Sequence, residues 1–122
     1  MAIPRDVEVE FEELNADHGG RRHPLMTGSR PQFYYLGQDW DCNVEIISAG
    51  RPDPRVGVRA YLAFLSPHEH FGRLQEGSPF LFREGHRTIG FGIVTRLVDL
   101  EHSARIAAAD GARYTWHREP AT

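Results

Sequence analysis

Polar and apolar residues alternate from Asp6 to Leu14. Val7, Val9 and Phe11 fall on one side, and Glu8, Glu10 and Glu12 on the other. A period of two predicts a strand with one buried face. The acidic residues Glu8, Glu10, Glu12 and Glu13 read as its solvated side. Asn15 to Ser29 is a polar, glycine-rich loop carrying Arg21, Arg22, His23 and Pro24. The aromatic run Gln32 to Leu36 predicts a second strand, and Cys42 to Ile47 a third. Ala49 to Arg55 holds Gly50, Pro52 and Pro54 and reads as a loop. Val56 to Leu65 predicts a long central strand. Ser66 to Ser78 is a loop carrying His68, Glu69 and His70. Pro79 to Arg83 and Thr88 to Val98 predict two more strands, joined by Glu84-Gly85-His86-Arg87. Glycine at the second of these four positions suits a tight turn with positive φ. Gly90 and Gly92 inside the last strand predict a bend or a close backbone approach.

These six strands, with frequent turn signals, predict an all-β fold: a six-stranded antiparallel closed barrel spanning residues 1–98. The pattern changes after Leu97. Ser103 to Asp110 is alanine-rich and Gly111 follows, predicting a short helix that starts near His102 or Ser103 and ends at Gly111. Ala112 to Thr122 reads as a partly disordered tail, unless Tyr114 and Trp116 dock on the barrel. Residues 99–122 are thus a C-terminal extension.

The chain has 122 residues, 40% hydrophobic and 25% charged, a size and balance that fit one globular domain. A domain of this size needs neither metal nor disulfide to fold. Seventeen acids against fourteen bases give a net charge of −3, which argues against a nonspecific polyphosphate binder but leaves room for a local basic patch. All fourteen bases are arginine. Without lysine there is no phosphate-binding loop of the G-x-x-x-x-G-K type, no Schiff-base chemistry and no lysine general base. Cys42 is the single cysteine, so no intrachain disulfide forms. The first residues lack the apolar run of a secretory signal. The longest stretch without Asp, Glu or Arg is Ala60 to His68, nine residues, against about 20 for a membrane-spanning helix. A soluble, cytoplasmic protein with no membrane partner is expected.

Two segments are more specific. Gly19-Gly20-Arg21 precedes Arg30-Pro31-Gln32-Phe33-Tyr34, and Phe80-Leu81-Phe82-Arg83-Glu84-Gly85-His86-Arg87-Thr88-Ile89-Gly90-Phe91-Gly92-Ile93-Val94-Thr95 lies farther on. In this order and spacing they resemble the C-terminal barrel, the third domain, of elongation factor Tu. That family reads G-G-R-H-T-P-F-F, then R-P-Q-F-Y-F, then F-A-I-R-E-G-G-R-T-V-G-x-G-V-V. The resemblance covers Val7 to Val98 and implies a six-stranded antiparallel barrel. The factor's nucleotide-binding domain and second barrel have no counterpart here, so neither GTP binding nor GTP hydrolysis is expected, and no cofactor is implied.

In that family the barrel touches the T stem of aminoacyl-tRNA, the nucleotide domain and the exchange factor. Arg21, Gln32, Glu84 and Gly85 stand at positions resembling the RNA-contacting ones. A-form RNA is read through phosphates and 2′-hydroxyls, which arginine, amide, carboxylate and backbone N–H can bond. Arg83 and Arg87 either join such a surface or form a structural ion pair with Glu84. The departures cut both ways. Arg22 replaces a histidine and adds charge, Asp41 replaces a hydroxyl residue, Ser66 stands where a basic residue is common, and His86 replaces a glycine. The family's M-P-G-D-N segment reads Ala49 to Arg55 here, and the loop Pro67 to Gly77 is longer. A barrel without a nucleotide domain leaves apolar surface to cover, and the segment after Leu97 is a candidate cover.

Other constellations are weaker. His68-Glu69-His70 invites zinc but lacks a third ligand, and a solvated loop is the better reading. Asp39-Trp40-Asp41-Cys42-Asn43 resembles half a calcium loop without its glycine and closing glutamate, and reads as a polar turn entering a strand. Cys42 reads as a buried small hydrophobe rather than a nucleophile. No carboxylate pair, triad or metal set argues for an enzyme. The favoured expectation is a non-catalytic protein-interaction module or mimic, docking to translation machinery or to a factor-binding partner. The alternative is an RNA-binding module for a tRNA-like acceptor or T stem. In either, the candidate contact residues are Arg21, Arg22, Gln32, Arg83, Glu84, Gly85 and Arg87.

Overall fold

The computed structural model describes residues 3–110. Its strands are β1 (Val7–Glu13), β2 (Gln32–Tyr35), β3 (Gln38–Ser48), β4 (Val58–Phe64), β5 (Pro79–Glu84) and β6 (Arg87–Leu97). They close a barrel in the order β1-β4-β3-β2-β5-β6, each strand antiparallel to both neighbours. One helix follows, α1 (Leu100–Asp110). No helix among the described residues is long and apolar enough to cross a membrane. The expected helix end at Gly111 and the tail with Tyr114 and Trp116 lie outside the described residues.

The alternation in β1 places Val7, Val9 and Phe11 in the core, as the sequence pattern requires. Aromatic rings fill the barrel's interior. Phe33 stacks on Phe80 with centroids 4.5 Å apart and meets Phe64 edge-on at 5.0 Å, while Phe11 meets Phe82 edge-on at 5.0 Å. Edge and offset contacts of this kind add to plain area burial. The acidic face of β1 is not uniformly solvated. Glu8 is held between Arg59 at 2.9 Å and Arg96 at 3.0 Å, and these two guanidinium groups lower its pKa. Glu13 falls in the phase of Val7, Val9 and Phe11 and is buried.

β3 begins at Gln38, four residues before the expected start, so Asp39-Trp40-Asp41 belong to the strand and not to a turn. The turn is Leu36-Gly37, with φ of 50° and 81°. A two-residue hairpin loop of this kind needs positive φ at both positions, which suits Gly37 and strains Leu36. The Leu36 side chain is 82% exposed and loses no core packing if replaced. Leu36→Asn is therefore expected to raise stability by about 1 kcal/mol. An unchanged or lower Tm would show that the turn stores no strain.

In β6, Gly92 sits where β1 and β5 crowd together: a Cβ there would lie 2.7 Å from Phe11 Cβ and 2.8 Å from the Phe80 ring. The expected close approach is thus real. A β-bulge accompanies it, since Phe82 pairs with Gly90 and Arg83 with Thr88, leaving Ile89 as the extra residue.

Helix α1 starts at Leu100, earlier than expected. Leu100 is fully buried in the barrel core and Ala104 and Ala107 are buried with it. Ser103 is no cap. Its Oγ donates to the buried Asp6 carboxylate at 2.5 Å, while the other oxygen of Asp6 accepts from the Phe64 backbone N–H at 2.8 Å. One carboxylate thereby ties α1, the entry to β1 and the end of β4 together. Burial raises the Asp6 pKa to about 6.

A candidate partner-binding surface

The β5–β6 hairpin and the loop after β1 form one end of the barrel. That loop contains a single 3-10 turn, Ala16–His18, and is otherwise irregular. It is pinned from beneath. Both Glu13 carboxylate oxygens accept the Leu25 backbone N–H, at 3.1 and 3.0 Å. Arg55 donates to the carbonyls of Leu14 at 3.0 Å, Arg21 at 2.8 Å and Arg22 at 3.1 Å, and lies 3.8 Å from Glu13. Burial raises the Glu13 pKa, opposed by the Leu25 amide and the Arg55 charge.

The pinned loop holds Arg21 against the hairpin. Arg21 Nε lies 3.3 Å from one Glu84 oxygen, and Arg87 Nη2 lies 3.3 Å from the other. Gly85, with φ of 61°, makes the turn between Glu84 and Arg87 and so sets their spacing. A second group runs along the outer face of β3, β2 and β5. Gln32 stands between Asp41 and Arg83 in register, and its amide donates to Asp41 at 2.6 Å. Arg83 lies 3.7 Å from Asp39 and 4.5 Å above the Tyr34 ring. The structure thus gathers Arg21, Glu84, Gly85 and Arg87 in one cluster and Gln32 and Arg83 in a neighbouring one. Arg22 is exposed on the same loop as Arg21, with its backbone held by Arg55. Arg21 Nη1, Arg83 Nε and Asp39 Oδ1 are buried without a hydrogen-bond partner.

Two further candidate motifs resolve as follows. His70 is not in a solvated loop. It is wholly buried against Tyr35, Trp40 and Phe64, with Nδ1 2.6 Å from the Tyr35 hydroxyl. Burial lowers its pKa to about 4, aided by the nearby Arg73 and His68 charges. No group of three or more His, Cys, Asp or Glu side chains among the described residues is placed to hold a metal ion. Cys42 is fully buried and its Sγ donates to the Pro31 carbonyl at 3.3 Å; burial pushes its thiol pKa up. Sequence reasoning passed over Arg55 and Glu13, although Glu13's place in the inward phase of β1 was a usable signal. No protein-family model matches the chain.

Proposed function

We propose that the barrel is a non-catalytic protein-interaction module, resembling the C-terminal barrel of elongation factor Tu, that docks a protein partner of the translation machinery. The observation carrying this reading is the pairing of three of the four candidate arginines. Arg21 and Arg87 share Glu84, Arg83 faces Asp39, and Gln32 is bonded to Asp41. A phosphate backbone would have to displace these carboxylates or accept their repulsion, because polyanion binding depends on unopposed positive charge. A surface of interleaved charges instead matches the mixed donors and acceptors of a protein partner. Nucleotide, cofactor and membrane have no part in this reading.

The test places a photo-crosslinking amino acid at His86, exposed in the hairpin turn, and identifies the adduct formed in cells. The expected adduct is a protein of the translation machinery. Titration with bulk tRNA across a salt series is expected to show no saturable binding. A nucleotide adduct, or saturable tRNA binding that weakens with salt and with Arg21→Glu, overturns the protein reading in favour of the RNA one.

A further inference from the structure

The wall formed by β5, β6 and β1 carries a groove of about 520 Å³ that the charged surface does not use. Pro79, Leu81, Phe91, Ile93 and Val56 line it. Register fixes the arrangement: Leu81 stands opposite Phe91, and Pro79 opposite Ile93. Phe91, Ile93 and Val56 are 44%, 47% and 40% exposed. The outer face of an antiparallel barrel is ordinarily polar, so contiguous exposed apolar side chains mark a contact surface.

The flank of the groove tells what it contacts. On β1, Glu12 stands opposite Phe91 and Glu10 opposite Ile93. The neighbouring Glu8 and Glu13 both lie within salt-bridge reach of arginine, but Glu10 and Glu12 make no salt bridge among the described residues. These two border the apolar groove; Glu10 stands opposite Arg59 in register, but that guanidinium bonds Glu8. We propose that this groove docks a segment of a partner protein in which apolar side chains are flanked by arginine or lysine. The proposal rests on the protein-binding reading above and names a surface and a partner chemistry for it.

Other occupants fit less well. A second copy on a two-fold axis would place four carboxylates, Glu10 and Glu12 of each copy, in one interface without bringing an arginine or lysine segment to them. Strand addition is closed off, because every strand already has two neighbours. RNA or an anionic membrane surface would meet the same two carboxylates. What remains is a segment held by side chains, apolar ones in the groove and cationic ones on Glu10 and Glu12.

The test uses the whole chain with labelled methyl groups and two synthetic peptides. One carries Leu-Phe-Leu between arginines, the other the same core between glutamates. The arginine peptide is expected to shift the Ile93 and Leu81 methyl signals and to bind at least tenfold more tightly than the glutamate one. Phe91→Ser is expected to weaken it at least tenfold, with the buried Val9 and Leu62 methyl signals reporting an intact core. Glu10→Lys combined with Glu12→Lys is expected to reverse the preference between the peptides. No shift at Ile93 with millimolar peptide, or shifts indifferent to peptide charge, overturns the proposal. So does an Ile93 signal that moves with protein concentration, which marks a second copy. Peptide binding that requires removal of residues 111–122 likewise overturns it, by assigning the groove to the chain's own end. A protein adduct at His86 with no peptide at Ile93 sinks this surface alone. A charge-selective peptide at Ile93 with only nucleotide adducts at His86 sinks the reading of the charged surface alone.

Discussion

Between pH 4 and pH 6.5 stability is expected to stay nearly constant, because two buried groups titrate in opposition there. Asp6 has its pKa raised by burial from 3.8 to about 6. Its contribution is complete below pH 3.8 and is lost as pH rises through 6, about 3 kcal/mol in all. His70 has its pKa lowered by burial from 6.5 to about 4. Its contribution is complete above pH 6.5 and is lost as pH falls through 4, again about 3 kcal/mol. Single substitutions uncouple the two. Asp6→Asn leaves the His70 limb, and the variant is expected to lose about 3 kcal/mol on acidification from pH 6.5 to 4. His70→Gln leaves the Asp6 limb, and that variant is expected to gain stability over the same interval. Urea unfolding at several pH values measures both. Parallel profiles for the wild type and Asp6→Asn would show that the carboxylate does not titrate in this range.

Arg55→Ala is expected to destabilise the protein by about 3 kcal/mol, far more than the loss of a surface arginine. Removing the guanidinium strips three loop carbonyls of their donor and takes from the buried Glu13 its salt-bridging cation, leaving only the weaker influence of Arg21. The cost should shrink when Glu13→Gln is already present, since the uncompensated charge is then gone. The same change frees the backbone at Arg21 and Arg22, so the Arg21–Glu84 contact should loosen and binding at the hairpin should weaken. A cost below about 1 kcal/mol, identical with and without Glu13→Gln, would mean that the loop holds its shape without Arg55.

Alternation made the strands legible because each strand buries one face, and β1 reads almost residue for residue. The phase was harder. In β6 a period of two puts Ile89, Phe91 and Ile93 on one side, which looks like the core side. The bulge at Ile89 shifts the phase, so Ile89 and Val94 point inward while Phe91 and Ile93 face out. The apolar groove was therefore invisible in the pattern. The first half of β3 was missed because Asp39 and Asp41 look like turn residues. They are outward strand positions, opposite Tyr34 and Gln32. His70 was misread because exposed His68 and half-exposed Glu69 precede it, and only the fold brings Tyr35, Trp40 and Phe64 around it. Asp6 and Ser103 are 97 positions apart, beyond any local pattern. The charged surface was legible as residue types, but which carboxylate neutralises which arginine depended on strand register.

Closure of the barrel also sets an order of events during synthesis. β1 is held between β4 and β6, so the earliest strand to leave a ribosome gains its second neighbour only when the last strand has followed it. Until then β1 and β5 are open edges, with Val9 and Phe11 on one and Phe80 and Phe82 on the other. Pairings between such distant segments are slow, in the millisecond-to-second range typical of barrels of this kind. The ring that leaves the finished molecule without a free edge thus gives the nascent chain two, and chaperone demand should peak just before β6 emerges.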